Sequence, residues 1–312
     1  MMLGWWIAVI AVLVAAFLFL RQWLLLRASP PHHAEPFDGV VYRVGKAAVV
    51  ERGPEAPRAC VIAMHGFVED FRYFTRHYDD PRIQFIGLNS CDYHVPVRDP
   101  VERTAAWART PSAPEGSIRY DAEVLCQALE HLPRCGRIRV HGHSRGGAVT
   151  LEAASLRPEL FRGVEVILEA PVLPQGAPYR PMPAFVKWLL PYLIPLWRMQ
   201  PINPTNIGAW GSLDDPRKRE LIEGLPFNPR HISTLMRNLK DMDAWMPKHG
   251  VEVYRPLAQG AVLVPDKDRV LAADAMAHSA ESADGLDVIR VPDCSHFVLF
   301  DRPDAIPALL PR

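Results

Sequence analysis

The chain predicts an α/β fold, a mostly parallel sheet flanked by helices, with an apolar N-terminal helix standing outside it. Three observations carry this expectation: strand-like and helix-like segments take turns along the chain, the strands are apolar throughout, and one long uncharged stretch occupies residues 3–20. A strand with one face in water alternates polar and apolar residues, whereas a strand covered on both faces reads as a continuous hydrophobic run.

The uncharged stretch, LGWWIAVIAVLVAAFLFL from Leu3 to Leu20, is long enough as a helix to cross most of a bilayer's hydrocarbon layer. Its Leu, Ile, Val and Phe side chains favour insertion by roughly 3–6 kcal/mol. Trp5 and Trp6 at one end, and Arg21 with Trp23 at the other, suit the two interfaces. A cleaved signal peptide fits less well, because no Lys or Arg precedes the run and Pro30 crowds the small-residue site at Ala28 and Ser29. Residues 1–28 are therefore expected to form a single-pass anchor in the cell (inner) membrane. Arg21 and Arg27 flank only its C-terminal end, which puts the remaining chain on the cytoplasmic side, the periplasmic side being the alternative. Residues 29–37 include SPPHHAEP, too rich in proline to continue a helix, and read as a stiff linker.

Beyond the linker, VVYRV (40–44), AAVVE (47–51), CVIAM (60–64) and IQFIGL (83–88) are expected strands. A helical stripe of Val124, Leu125, Ala128, Leu129 and Leu132 follows, then the strand RIRVHG (137–142), a helix after Ser144, and the strand VEVILE (164–169). Alternation breaks from Pro171 to about Gly250, where prolines are dense and PAFVKWLLPYLIPLWRM (183–199) is strongly apolar and aromatic. It resumes with AVLV (261–264), a helix from about Ala272 to Glu281, LDVIRV (286–291) and a last helix beginning near Pro303. The expected organisation is thus anchor 1–28, linker 29–37, a first core segment 38–170, a helical cap inserted over 171–250, and a second core segment 251–312.

Charge narrows the function. Lys plus Arg and Asp plus Glu each number 35, so no net field exists to hold a polyanion, and nucleic acid is excluded as a partner. The five cysteines, Cys60, Cys91, Cys126, Cys135 and Cys294, are scattered and have no zinc-type spacing. No metal or cofactor is expected.

The chemistry gathers at three loops. Strand RIRVHG runs into Gly142-His143-Ser144-Arg145-Gly146-Gly147, a G-x-S-x-G sequence followed at once by good helix. A serine on such a strand-to-helix turn holds its hydroxyl out from the backbone, and the helix N-terminus behind it offers N–H groups to a developing oxyanion. A free hydroxyl is too weak an acid to attack unaided, so a histidine and a carboxylate are required. Strand LDVIRV ends in Pro292-Asp293-Cys294-Ser295-His296, and His296 is the expected base; His278, His249 and His231 fall on helices or in the insertion. Strand AVLV ends in Pro265-Asp266-Lys267-Asp268, where Asp268 is preferred as the acid and Asp266 is the alternative, with Asp293 and Asp301 behind them. The backbone N–H groups of Phe67 and Arg145 are expected to form the oxyanion hole. The Arg145 side chain either pairs with an acid or grips a substrate anion, and His143 and His65 read as packing or loop-fixing residues.

Taken together, HGF (65–67), GHSRGG (142–147), PDKDRV (265–270) and CSHF (294–297), in that order, resemble the α/β-hydrolase superfamily over roughly Val40 to the C-terminus. Within it the chain resembles the lysophospholipase and monoacylglycerol-lipase-like branch, and bacterial membrane-anchored phospholipase A or lipase enzymes. That resemblance implies an α/β-hydrolase fold with a helical cap where residues 171–250 lie, and hydrolysis of a carboxylic ester through an acyl-enzyme on Ser144. Pro265 stands where many relatives have glycine, and Arg145 where a hydrophobic residue is frequent. The apolar cap, with Trp188, Tyr192 and Trp197 as expected substrate contacts, together with the anchor, points to acyl lipids: a lysophospholipid, phospholipid or acylglycerol. A soluble ester, thioester or peptide substrate, or an inactive membrane-tethered binding protein, are the competing readings.

Overall fold

The computed structural model describes residues 2–310; positions 1, 311 and 312, at the outer ends of the expected anchor and second core segment, lie outside the described residues. Among the described residues, nine strands form one sheet: β1 (Val40–Val44), β2 (Ala47–Arg52), β3 (Ala59–Met64), β4 (Ile83–Asn89), β5 (Val101–Arg103), β6 (Ile138–His143), β7 (Glu165–Glu169), β8 (Gly260–Pro265) and β9 (Asp287–Val291). Their spatial order is β5-β1-β2-β4-β3-β6-β7-β8-β9. From β4 to β9 every pairing is parallel, while β2 runs antiparallel to both its neighbours. The edge strand β5 carries no apolar pattern in its three exposed residues, which is why sequence reading passed over it.

Burial explains the apolar strands. Every residue of β3 and β4 is buried, and so are the last five of β6, because helices cover both faces. On one face lie α3 (Ile118–His131), α4 (Arg145–Leu156) and α9 (Ala273–Ala280), packed over Ile62, Met64, Val140 and Leu168. Helix α3 starts where Ser117 caps it, the side chain accepting from the Tyr120 N–H, and its buried stripe includes Val124, Leu125, Ala128 and Leu129. On the other face, short helices α2 (Arg72–Thr75) and α10 (Val298–Asp301) pack with residues of the segment between β7 and β8. That segment holds α5 (Ala184–Met199), α6 (Ile207–Trp210), α7 (Pro216–Gly224) and α8 (Ile232–Lys248). Asp215 caps α7 by accepting from the Arg217 and Lys218 N–H groups, with Pro216 at the first helical position, where no N–H is needed.

At the N-terminus, α1 (Met2–Leu26) has no fully buried residue and is long and apolar enough to cross a membrane. Its last turns rest on the body of the protein, with Leu24 and Leu25 against the apolar cluster that includes Phe71, Phe74, Ile194 and Leu225. Phe17 stacks on Tyr192 of α5 with ring centroids 4.5 Å apart, the Tyr192 hydroxyl donates to the Phe17 carbonyl at 2.6 Å, and the Arg21 guanidinium lies over the Trp188 ring.

One expected element is corrected. The last helix begins at Val298, directly after the His296 loop, and Pro303 opens only a single 3-10 turn to Ala305. Pro307 disfavours the helical region for the residue before it, and Ile306 is extended, with φ −73° and ψ 121°.

Candidate active site

Strand β6 sits near the middle of the sheet and hands the chain to α4 through Ser144, whose φ of 50° and ψ of −116° place a non-glycine residue in a costly conformation. Close packing maintains it. The Ser144 N–H donates to the Glu169 carbonyl and its own carbonyl accepts from Val172, both at 2.9 Å. A Cβ on Gly142 would lie 2.5 Å from the Gly146 carbonyl oxygen, and one on Gly146 only 2.0 Å from the Met64 carbonyl oxygen, so both glycines are demanded by close backbone approach.

Asp268 and His296 come to the same place from the ends of β8 and β9. Asp268 is buried, and its Oδ1 accepts from the Val270 and Leu271 N–H groups at 2.7 and 2.9 Å. Its Oδ2 lies 2.7 Å from His296 Nδ1. An ionised carboxylate only accepts, so Nδ1 carries the proton and Nε2 keeps its lone pair, which is the tautomer a general base requires. The His296 ring lies against that of His143, centroids 4.9 Å apart, beside Ser144 in the chain. Among the described residues, neither the Ser144 hydroxyl nor His296 Nε2 has a hydrogen-bond partner, leaving both free to meet over a bound substrate.

The loop after β3 approaches from the other side. A Cβ on Gly66 would stand 2.9 Å from the Ser144 Cβ, which puts the next residue, Phe67, at the rim of the site. Within the described residues the backbone N–H groups of Phe67 and Arg145 donate to no protein acceptor. The alpha/beta hydrolase family profile matches residues 107–308, well over half the chain.

The chain belongs to the alpha/beta hydrolase family.

No curated protein matches the sequence. Among solved structures, this alpha/beta hydrolase is similar to a probable hydrolytic enzyme from Pseudomonas aeruginosa PAO1, at 16% identity and a TM-score of 0.62, over 90% of this chain and 96% of that one. It is also similar to an esterase from Exiguobacterium antarcticum, at 13% identity and a TM-score of 0.60, over 85% of this chain and 95% of the other. A thermophilic esterase from Thermogutta terrifontis aligns at 16% identity and a TM-score of 0.57, over 83% and 89% of the two chains. At these identities the likeness is one of fold.

The other residues of this alpha/beta hydrolase singled out from sequence fall into two groups. Trp197 lines an apolar groove of about 510 Å³, together with Phe67, Leu190, Leu193, Ile194 and Leu196. Trp188 and Tyr192 lie against α1, where both rings meet that of Phe17. The Arg145 side chain is fully buried, where Nη1 donates to Asp121 Oδ2 at 2.6 Å and to Ser90 Oγ at 3.3 Å, so it is out of reach of any bound anion. Asp266 and Asp293 are exposed. Asp301 instead accepts from Lys218 and from Ser295, next to His296. His278 is exposed, His231 is bonded to Asp92, and His249 stacks on Trp245.

Among the buried charged residues that sequence reading did not single out, Glu69, Asp121, Glu169 and Lys218 bond to residues of the site or their immediate neighbours. Glu169 lies at the end of β7 and takes four contacts, from the Tyr73 hydroxyl, the Leu299 N–H, His141 Nε2 and, through its backbone carbonyl, Ser144. Burial opposes its charge, yet His143, His141 and Tyr73 hold the carboxyl down at about 2. His65 is neutral by contrast, burial lowering its pKa, with Nε2 accepting from the Ser90 N–H and Nδ1 facing the Gly66 carbonyl.

Proposed function

We propose that the protein is a membrane-anchored serine hydrolase that cleaves carboxylic esters of acyl lipids, with Ser144 as nucleophile, His296 as base and Asp268 as the acid that orients it. The observation that carries this reading is the buried His296–Asp268 bond of 2.7 Å presenting a bare Nε2 beside a serine at positive φ. The Ser144 hydroxyl attacks the ester carbonyl while His296 Nε2 takes its proton, and the oxyanion gathers the Phe67 and Arg145 N–H groups. His296 then returns that proton to the departing alcohol, and a water activated by the same nitrogen releases the acid and frees Ser144. Esterases among the solved structures of like fold agree with this chemistry.

Lipid as the substrate follows from two features. The groove beside Phe67 is lined mainly by apolar side chains, with Gln200, Asn203, Thr205 and Asn206 among them, and suits an acyl chain. The cap helix α5 also bears an exposed apolar row, Phe185, Trp188, Leu196 and Met199, on the side where α1 docks. Arg21 marks the depth of the interface on α1, and Trp188 touches both it and Phe17, so α5 lies at that same depth, with acyl chains within reach. In this reading residues 1–28 anchor, 29–37 link, 171–250 cap, and 38–170 with 251–312 make up the core.

Replacing Ser144 by Ala is expected to lower turnover of p-nitrophenyl esters by about 10⁴ or more and to abolish fluorophosphonate labelling. Activity within tenfold of the wild type would overturn the assignment. Preference for long acyl chains supplied in vesicles is expected over short soluble esters, and the reverse preference would overturn the lipid reading while leaving the triad intact.

A further inference from the structure

Beneath the site lies a fully buried histidine that the reaction itself does not use. The Nδ1 of His143 is 2.8 Å from Glu69 Oε2, and its Nε2 is 3.0 Å from the backbone carbonyl oxygen of His296. Both neighbours are acceptors. A carbonyl has no proton to give, and Glu69 Oε2 already accepts the Gly66 N–H at 2.8 Å. A neutral imidazole would therefore turn one bare lone pair onto an acceptor, whereas the doubly protonated ring satisfies both.

The surroundings favour the same state. Glu69 faces the ring from the loop after β3, Glu169 from β7, and His141 from β6 itself. From α2 the Tyr73 ring stacks on it at 4.4 Å, and from the loop after β9 come the rings of His296 and Phe297. His141 carries no competing charge: the Tyr78 hydroxyl lies 2.7 Å from its Nδ1, its Nε2 faces the Glu169 carboxylate, and burial lowers its pKa. Burial works against a charge on His143 too, but attraction to Glu69 and Glu169, with the bonds to Glu69 and His296, raises its pKa to about 9.

We infer that His143 is a positioning residue, a buried imidazolium that with Glu69 clamps the His296 loop to the Gly66–Phe67 loop, so that base and oxyanion donor keep one geometry about Ser144. This rests on the triad assignment. One ring donates to the backbone of the base, and its counter-ion accepts from the residue before the oxyanion donor, so both distances are set by a single ion pair.

The test uses the full-length protein in detergent, with His143→Gln, His143→Phe and Glu69→Gln. Glutamine places an amide donor near the position of Nε2 and retains the bond to the His296 carbonyl, whereas phenylalanine retains none. Expected are a fall in kcat of about 10- to 100-fold for His143→Phe with KM within threefold, and recovery of much of that loss in His143→Gln, since a loosened base costs rate rather than binding. Wild-type kcat is expected to decline as pH rises through about 9, and this limb should vanish in His143→Gln and move to lower pH in Glu69→Gln. Should the variants fail to fold, nitrogen-15 NMR of histidine-labelled wild type still decides: both His143 ring nitrogens are expected to be protonated at pH 7.5. A neutral His143 at that pH, or variants with wild-type kcat and an unchanged alkaline limb, would overturn the inference. If Ser144→Ala stays active, the triad reading itself fails; if it is dead while the His143 variants behave as wild type, only the clamp fails.

Discussion

Lys218 and Asp301 form a largely buried ion pair, Nζ to Oδ1 at 2.5 Å, between helix α7 and the end of α10, the short helix that follows His296. The other carboxylate oxygen accepts from the Ser295 hydroxyl at 2.5 Å and the Ser295 N–H at 3.0 Å, so α7 is fastened one residue from His296, the proposed base. The two partners differ in what their loss leaves behind. Asp301→Ala strands an ammonium that is almost wholly buried and is expected to destabilise the protein by about 3–5 kcal/mol. Lys218→Met leaves a carboxylate still bonded to Ser295 and partly exposed, and is expected to cost about 1–3 kcal/mol. Urea unfolding midpoints of the two variants check the order, and an equal cost would contradict it.

Asp268 and Asp266 lie two residues apart in one loop, yet only Asp268 reaches His296. Asp266 accepts from the Cys294 N–H at 3.3 Å and is otherwise exposed. On the proposed mechanism, Asp268→Asn should lower kcat by about 10³–10⁴ through the wrong histidine tautomer. Asp266→Asn should stay within a few-fold of the wild type. Steady-state kinetics on one ester decide between them, and a larger loss at Asp266 would reverse the assignment.

Arg145 pairs with Asp121 while its Nε and Nη2 have no partner among the described residues, so this buried pair is incompletely satisfied. Arg145→Met alone leaves Asp121 uncompensated and is expected to cost about 3–5 kcal/mol, whereas Arg145→Met with Asp121→Leu should regain most of that loss. The proposed oxyanion donor is the backbone N–H, so the refolded double variant should keep kcat within a few-fold. Unfolding midpoints and kcat of the two variants test both statements.

What could be read from the chain follows from the range of each signal. Residues 142–147 were legible because strand, tight turn and helix are consecutive, although only Gly142 answers a local approach, that of Gly146, while Gly146 and Gly147 answer Met64 and Pro171 far along the chain. The parallel sheet was legible because burial on both faces imposes an apolar run on β3 and β4. The aromatic stripe that holds Trp188 and Tyr192 says that a helix face is covered without saying by what, and here part of the cover is Phe17, 175 residues from Tyr192. Glu69 was illegible for the same reason: its partner His143 lies 74 residues away, and no local spacing marks a charge that only the folded chain neutralises.

Stability should respond to pH on both sides through two buried groups. Glu169 is held at about 2 against an ordinary carboxyl value of 4.5, so its contribution is present above pH 4.5 and is lost as pH falls toward 2. His143 is raised to about 9 from 6.5, so its contribution is complete below pH 6.5 and is lost as pH rises through 9. Each shift corresponds to roughly 3 kcal/mol as an order of magnitude. Between pH 6.5 and 9 the wild type should therefore lose stability that His143→Gln, lower at the start, does not lose further. Unfolding midpoints taken across that window give the two slopes, and parallel slopes would mean that His143 holds no extra proton in the folded protein.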